Sequence, residues 1–375
     1  AIQKVVFYEI DDLVFDRSEY PDPIESYGGQ VSVAEYHGLI RGTTLFWEAM
    51  SLCDYGIAST PLLVEEIEKV VAKRKCFLHR NALDRLNAEF VALKTPKIQR
   101  TYLSIFYGSG TKAHDSDFND LAAPAIARIL EKYPQVRLTL MGYVTLPDVL
   151  VPHQERIDRI ALVKEVEIYW EFLRQADINI AVIHDTKFNS CKSELKWFEA
   201  ASLGIPSVVS STQTYREVIQ HGVDGLLASN PDEWFNHLEQ LVTDDKSRQK
   251  IAESAYQRVW SEYSVPAMAN NIKQIVMAGV REALKEGRWV QQTNQKKLLI
   301  VNVFYPPQSI GGATRIVKDN VAVLQEQYGD EYEISVFTTN DDYPKPYQIE
   351  EYVHNGIRVT RVSSPMEEGM DWRYQ

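Results

Sequence analysis

Short apolar runs alternate with longer amphipathic stretches along most of this chain. Lys4-Val-Val-Phe-Tyr-Glu-Ile10, Tyr55-Gly-Ile-Ala-Ser59 and Cys76-Phe-Leu-His79 read as buried strands, with helices near 43–52 and over 61–72 between them. After a polar link near 92–99 the alternation restarts. Strands at 102–107, 136–142 and 178–183 are separated by helices at 118–132 and 167–174. A helix opening at Lys192, a strand at 206–210 and helices at 214–220, 231–243 and 247–261 follow. Strands alternating with helices predict an α/β protein built on parallel, doubly wound, Rossmann-like sheets. A polar stretch, 279–297, precedes a third series: the strand from Lys297, a helix at 314–327 and a strand at 333–338.

The segment Phe188-Asn-Ser-Cys-Lys192-Ser-Glu194-Leu-Lys196-Trp-Phe-Glu199-Ala-Ala-Ser-Leu-Gly204-Ile-Pro206-Ser-Val-Val carries the densest chemistry. On one helix Lys192, Lys196 and Glu199 would fall at roughly 0°, 40° and 340°, which puts two ammoniums and a carboxylate on one face. With the amides of a helix start, that face suits a diphosphate and a ribose diol. It equally suits a solvated surface carrying a Lys196–Glu199 pair. The strand ending at Tyr107 runs into Gly108-Ser-Gly110-Thr-Lys112-Ala-His114, which fits a dinucleotide fingerprint. The following strand, however, ends Leu140-Met141-Gly142 and lacks the acid such a site uses. The loop is better read as backbone amides with Lys112 and His114 at the strand ends, or as a plain turn. Asp115-Ser-Asp117 reads as a helix cap rather than a metal motif. Asp11-Asp12 is weak evidence for metal. His184 and Asp185 follow a strand at the ligand edge, as pocket lining or as solvated loop residues.

From there the chain runs through Gly204-Ile-Pro-Ser-Val-Val, Tyr215-Arg-Glu-Val-Ile and Gly222-Val-Asp-Gly225-Leu-Leu. This order resembles the donor half of the GT-B glycosyltransferases, in particular retaining family 4. The resemblance implies that Glu199 holds the nucleotide ribose. Cys191 stands where the family has a partner Glu, and Asn189 or Glu194 would take over its contact with the sugar. The resemblance further implies retaining transfer without a metal. Lys112, His114, Lys192 and Lys196 would stabilise the leaving diphosphate, with Ser193 and the amides around Gly108 and Gly110 on phosphate. Tyr305-Pro-Pro-Gln-Ser-Ile-Gly311-Gly312-Ala-Thr-Arg315 resembles the glycine loop that opens the family's acceptor domain. Gly311 and Gly312 would approach the donor if that piece completes the same site.

The expected organisation is thus 1–98 as the end of an acceptor-side domain, 99–278 as the donor domain, 279–297 as linker, and 298–375 as the start of a second acceptor-side domain. That order reads as a fragment of a tandem of two glycosyltransferases. Half a Rossmann sheet exposes strand edges, so 298–375 is expected to pack on 1–98, in cis or swapped within a homo-oligomer.

Composition narrows the partners. With 40 Lys and Arg against 52 Asp and Glu, the net charge of −12 argues against a nucleic-acid surface. No apolar run reaches the ~18 residues of a membrane span. Three scattered cysteines suggest a reducing compartment, so the expected location is cytoplasmic, at or near the inner membrane face. The expected function is transfer of a sugar from a nucleotide diphosphate sugar to a glycan acceptor, in bacterial surface polysaccharide synthesis, with no cofactor and no metal. A nucleotide-sugar epimerase of the same fold and a non-catalytic nucleotide- or carbohydrate-binding module stay open as alternatives.

Overall fold

The structure, a computed structural model, describes residues 5–27, 31–93, 95–110, 115–287, 296–302, 304–308, 311–340 and 348–363. Lys112 and His114 lie outside them. Strand β1 is Phe7–Ile10, followed by α1 (Val33–Ser51), β2 (Tyr55–Ala58), α2 (Pro61–Glu68) and β3 (Cys76–Leu78). Helix α1 starts well before residue 43 because Ser32 and Glu35 form a reciprocal capping box. Next come α3 (Arg85–Ala92) and β4 (Leu103–Ser109). A helical stretch follows: α4 (Asp115–Asp117), a π segment and α5 (Ala123–Lys132). Strands β5 (Val136–Gly142) and β6 (Ile157–Ile160), helix α6 (Val166–Gln175) and β7 (Ile178–Ala181) lead to α7 (Lys187–Ser190) and α8 (Leu195–Ser202). The middle of the chain closes with β8 (Ser207–Ser210), α9 (Gln213–Val218), β9 (Leu226–Ala228), α10 (Pro231–Thr243) and α11 (Asp245–Glu262). The rest is α12 (Val265–Lys285), β10 (Lys296–Val301), α13 (Gly311–Tyr328), β11 (Tyr332–Asn340), β12 (Ile349–His354) and β13 (Ile357–Ser363).

Two compact units result. One comprises Ala1–Asp84, Cys191–Ser193 and Val265–Gln375; the other comprises Arg85–Ser190 and Glu194–Ser264. The sequence reading set boundaries near residues 98 and 278, whereas the compact units divide at Asp84 and Ser264. Local packing explains both shifts. The Phe90 ring of α3 lies 5.4 Å from that of Trp170 on α6, which ties α3 into the middle unit. On α12, a Cβ at Gly279 would come within 2.3 Å of the Phe7 ring, so this helix runs tight against β1.

The middle unit holds a parallel sheet in the order β6-β5-β4-β7-β8-β9. One face packs on α5 and α10 through Ile126, Ile129, Leu130, Trp234 and Leu238. The other packs on α6 and α8 through Leu173 and Ala200. Sheet strands buried on both sides read as continuous apolar runs, as β4 and β7 do.

The other unit has two sheets, β1-β2-β3 and β10-β11-β13-β12. Ile57 of β2 shares one apolar core with Ile275 and Val276 of α12, Leu298 of β10, Val321 of α13 and Val336 of β11. The antiparallel hairpin β12–β13 was not read from sequence. Its signal is Asn355-Gly356, whose φ values of 48° and 80° suit a two-residue turn that matches strand twist.

Candidate functional site

In the middle unit the chain leaves β4 toward one side of the sheet and β7 toward the other. Open α/β sheets bind ligands at such a switch point, outside the carboxyl ends of the strands. Of the predicted glycines there, Gly108 is a packing residue: its Cβ would lie 3.0 Å from the Tyr169 ring. Gly110 faces open space. Gly142, not singled out from sequence, is tighter. At φ +90° its Cβ would sit 2.0 Å from the Ser109 carbonyl oxygen, and Tyr143 N–H donates to that oxygen at 3.0 Å. The exits of β4 and β5 are therefore locked together, a constraint visible only once the strands are paired.

Beyond β7, Ile183 N–H donates to Ser210 Oγ at 2.9 Å, which joins the ends of β7 and β8. His184 Nε2 lies 3.2 Å from Asp120 and 3.7 Å from Asp117, so this loop reaches the helix that follows β4. Asp117, expected as a helix cap, makes no side-chain cap hydrogen bond to the π segment and instead faces His184. Asp185 accepts from Ser190 Oγ at 2.7 Å and from Arg216 at 2.9 Å. Burial opposes its charge, yet those two donors hold its carboxyl below the usual range. Asn189 spends its amide on the His184 carbonyl at 3.0 Å, so it shapes the loop.

Helix α8 opens at Leu195 rather than at Lys192, with Glu194 at the N-cap position. The cause is visible on either side of Glu194. Its carboxylate is fully buried and accepts from Tyr263 Oη at 2.6 Å. The preceding tripeptide belongs to the other unit. There Thr60 Oγ1 donates to the Cys191 carbonyl at 2.9 Å, and Asn81 Nδ2 donates to Ser193 Oγ at 2.9 Å. Lys192 Nζ lies 3.4 Å from Asp12 Oδ1. Beside this pair, burial and then the Asp12 charge push the Asp11 carboxyl up to about 6, while Lys192 and Asn81 pull it back. In the same unit Gly311 and Gly312 begin α13, and Arg315 lies 3.8 Å from Asp84.

Lys196 and Glu199 keep their predicted common face, being three residues apart within α8. Glu199 is only 6% exposed and accepts from Trp170 Nε1 at 3.1 Å. Lys196 Nζ lies 5.7 Å from the centre of the Tyr169 ring. Burial, then the neighbouring Glu199 and Tyr215 groups, hold the Tyr169 phenol well above its ordinary value. No sequence signal tied Trp170 and Tyr169 to α8. Downstream, the turn of Gly222-Val-Asp224-Gly225 is anchored by buried Asp224, which Arg258 meets at 2.6 Å.

The middle unit thus gathers Gly108, Gly110, Asn189, Glu194, Lys196 and Glu199. The other holds Lys192, Ser193, Gly311 and Gly312. Among the described residues no group of three or more His, Cys, Asp or Glu side chains could hold a metal ion. Among them, too, no helix is long and apolar enough to cross a membrane.

Residues 122–274 match the family described as glycosyl transferase-like. No curated protein sequence matches the chain. Among solved structures, Anabaena HepE in complex with UDP and glucose superposes with a TM-score of 0.52 at 14% identity, over 73% of this chain and 72% of that one. A mutant of S. aureus TarM, in complex with Fondaparinux, alpha-GlcNAc-glycerol and UDP, gives 0.51 at 13% identity, over 72% of this chain and half (50%) of its own. The chain therefore has the Rossmann-like α/β fold of the GT-B glycosyltransferases.

Proposed function

We propose that this chain belongs to a retaining, metal-independent glycosyltransferase that moves a sugar from a nucleoside diphosphate sugar to a glycan acceptor in surface polysaccharide assembly. The observation that carries this reading is Glu199: a carboxylate braced on α8, inside the family-matched segment, for which the sequence resemblance implies a ribose contact. HepE and TarM were both solved with UDP, which makes UDP the first nucleotide to try.

In the reaction the bond between the anomeric carbon and the donor phosphate oxygen breaks, and the diphosphate leaves with the electron pair. The acceptor oxygen bonds to that carbon and gives up its proton. Charge builds on the departing diphosphate, so fixed cations and amide dipoles aimed there lower the barrier. Lys196 and the amides opening α8 would serve this, with Lys112 and His114 adding positive charge. Asn189 and Glu194 act through the shape of the loop and of the helix start, given their inward hydrogen bonds. The piece from 298 onward is read as the start of a second acceptor-side domain, in a tandem of two such enzymes.

Calorimetric titration with UDP, GDP, ADP and dTDP tests the proposal. One nucleotide should bind selectively, and Glu199→Ala should weaken it by about 10-fold or more. Absence of binding by all four would overturn the donor-site assignment.

A further inference from the structure

A carboxylate that reads a sugar diol must point the right way before the ligand arrives, and on α8 something must hold it. Glu199 is buried, and burying a charge is costly unless polar groups meet it. The group that meets Oε1 is the indole N–H of Trp170, at 3.1 Å. An indole is a donor only, so it orients the carboxylate without competing for a ligand's hydroxyl protons. A carboxylate offers about four lone-pair positions, so a bond from Trp170 is compatible with bonds from a diol.

Trp170 is itself fixed. It is 1% exposed, and its ring lies 5.4 Å from that of Phe90. The Arg174 guanidinium covers Phe90 at 3.9 Å, and Arg174 Nη2 donates to the Phe90 carbonyl at 2.8 Å. Arg174, Phe90, Trp170 and Glu199 thus form a column running from α3 through α6 to α8. The neighbouring Tyr169 braces Lys196 on the same face of α8. One turn of α6 therefore supports both charged residues that the proposed site would use.

We propose that Trp170 is a positioning residue for nucleotide recognition: its indole N–H sets the Glu199 carboxylate toward the ribose diol, so preference for ribonucleotides over 2′-deoxyribonucleotides depends on it. This rests on the reading of Glu199 as the ribose contact. A Trp–Glu bond that merely ties α6 to α8 would weaken all nucleotides alike, and that difference can be measured.

The experiment is calorimetry of the full chain with UDP and 2′-deoxy-UDP, and with the matching ADP and GDP pairs. Wild type should prefer the ribose form by about 10- to 100-fold. Glu199→Gln and Trp170→Phe should both compress that ratio, the latter by about 5- to 10-fold. Affinity for the 2′-deoxy form, which keeps the 3′-hydroxyl, should fall less than affinity for the ribose form, and its retained binding reports that Trp170→Phe is folded. Trp170→His, which restores a ring N–H, should recover part of the preference. Equal weakening of both forms in Trp170→Phe, or an unchanged ratio, would overturn the inference while Glu199→Gln still supports the ribose contact. A wild type that binds but shows no preference would overturn the Glu199 reading and the inference with it.

Discussion

The two compact units reach related architectures by different routes. In the middle unit a doubly wound sheet forms from one nearly continuous stretch of chain, interrupted only by the tripeptide Cys191–Ser193. In the other, residues from both ends of the sequence share a core. Strand β10 lies against β1, and Ile57 packs in the same cluster as Leu298 and Val336. The strands around that junction, β13-β11-β10 and β1-β2-β3, echo the middle unit's β6-β5-β4 and β7-β8-β9, yet they remain two separate sheets. Joining distant segments costs loop-closure entropy that adjacent strands avoid. The middle unit should therefore act as the cooperative scaffold, and the end-assembled unit should open more readily.

Hydrogen exchange followed peptide by peptide can break that comparison. Gly142→Ala should have the largest effect, since its Cβ meets a backbone carbonyl at 2.0 Å and its φ of +90° is strained for alanine. A loss of about 3 kcal/mol or more is expected, confined to peptides of the middle unit. Protection lost equally in both units would show that they unfold together.

Gly279→Ala should act on the other unit. The added methyl displaces the Phe7 ring, which also packs near Tyr55 at 5.4 Å and Phe77 at 6.1 Å. About 1–3 kcal/mol should be lost there, with the middle unit unchanged in urea unfolding.

The unit assembled from both ends should also show a pH dependence. Burial, with the Asp11 charge adding, pushes the Glu9 carboxyl from its ordinary 4.5 up to about 8. The folded state then binds this proton more tightly than the unfolded one. Its contribution is complete below about 4.5 and is lost as pH rises through about 8. Glu9→Gln should flatten that decline in the end-assembled unit. His79 acts in the opposite sense. It bonds Asn271 at 2.7 Å and Asn320 at 3.2 Å, and burial outweighs both to favour the neutral ring. Its contribution is therefore lost as pH falls below about 6.5. An unchanged pH profile in Glu9→Gln would show that this carboxyl does not govern the unit.

Lys196 and Glu199 were legible as a pair because three-residue spacing needs only a helix. Lys192 was not, because its neighbours Cys191 and Ser193 are held by Thr60 and Asn81, residues more than a hundred positions away. The same distinction separates Gly108, noticed for its motif, from Gly142, whose necessity comes from the neighbouring strand's carbonyl. The hairpin at Asn355-Gly356 was locally encoded and was overlooked; the partner of Glu199 was not locally encoded at all.

Local periodicity and turn chemistry act over a few residues, so the sequence by itself determined the alternation of strands and helices, the doubly wound class and the charged face of α8. Which segments share a core, where α8 begins, and that Trp170 holds Glu199 were decided only by tertiary structure. These depend on packing and hydrogen bonds between groups far apart in the chain, and no local pattern records their distance.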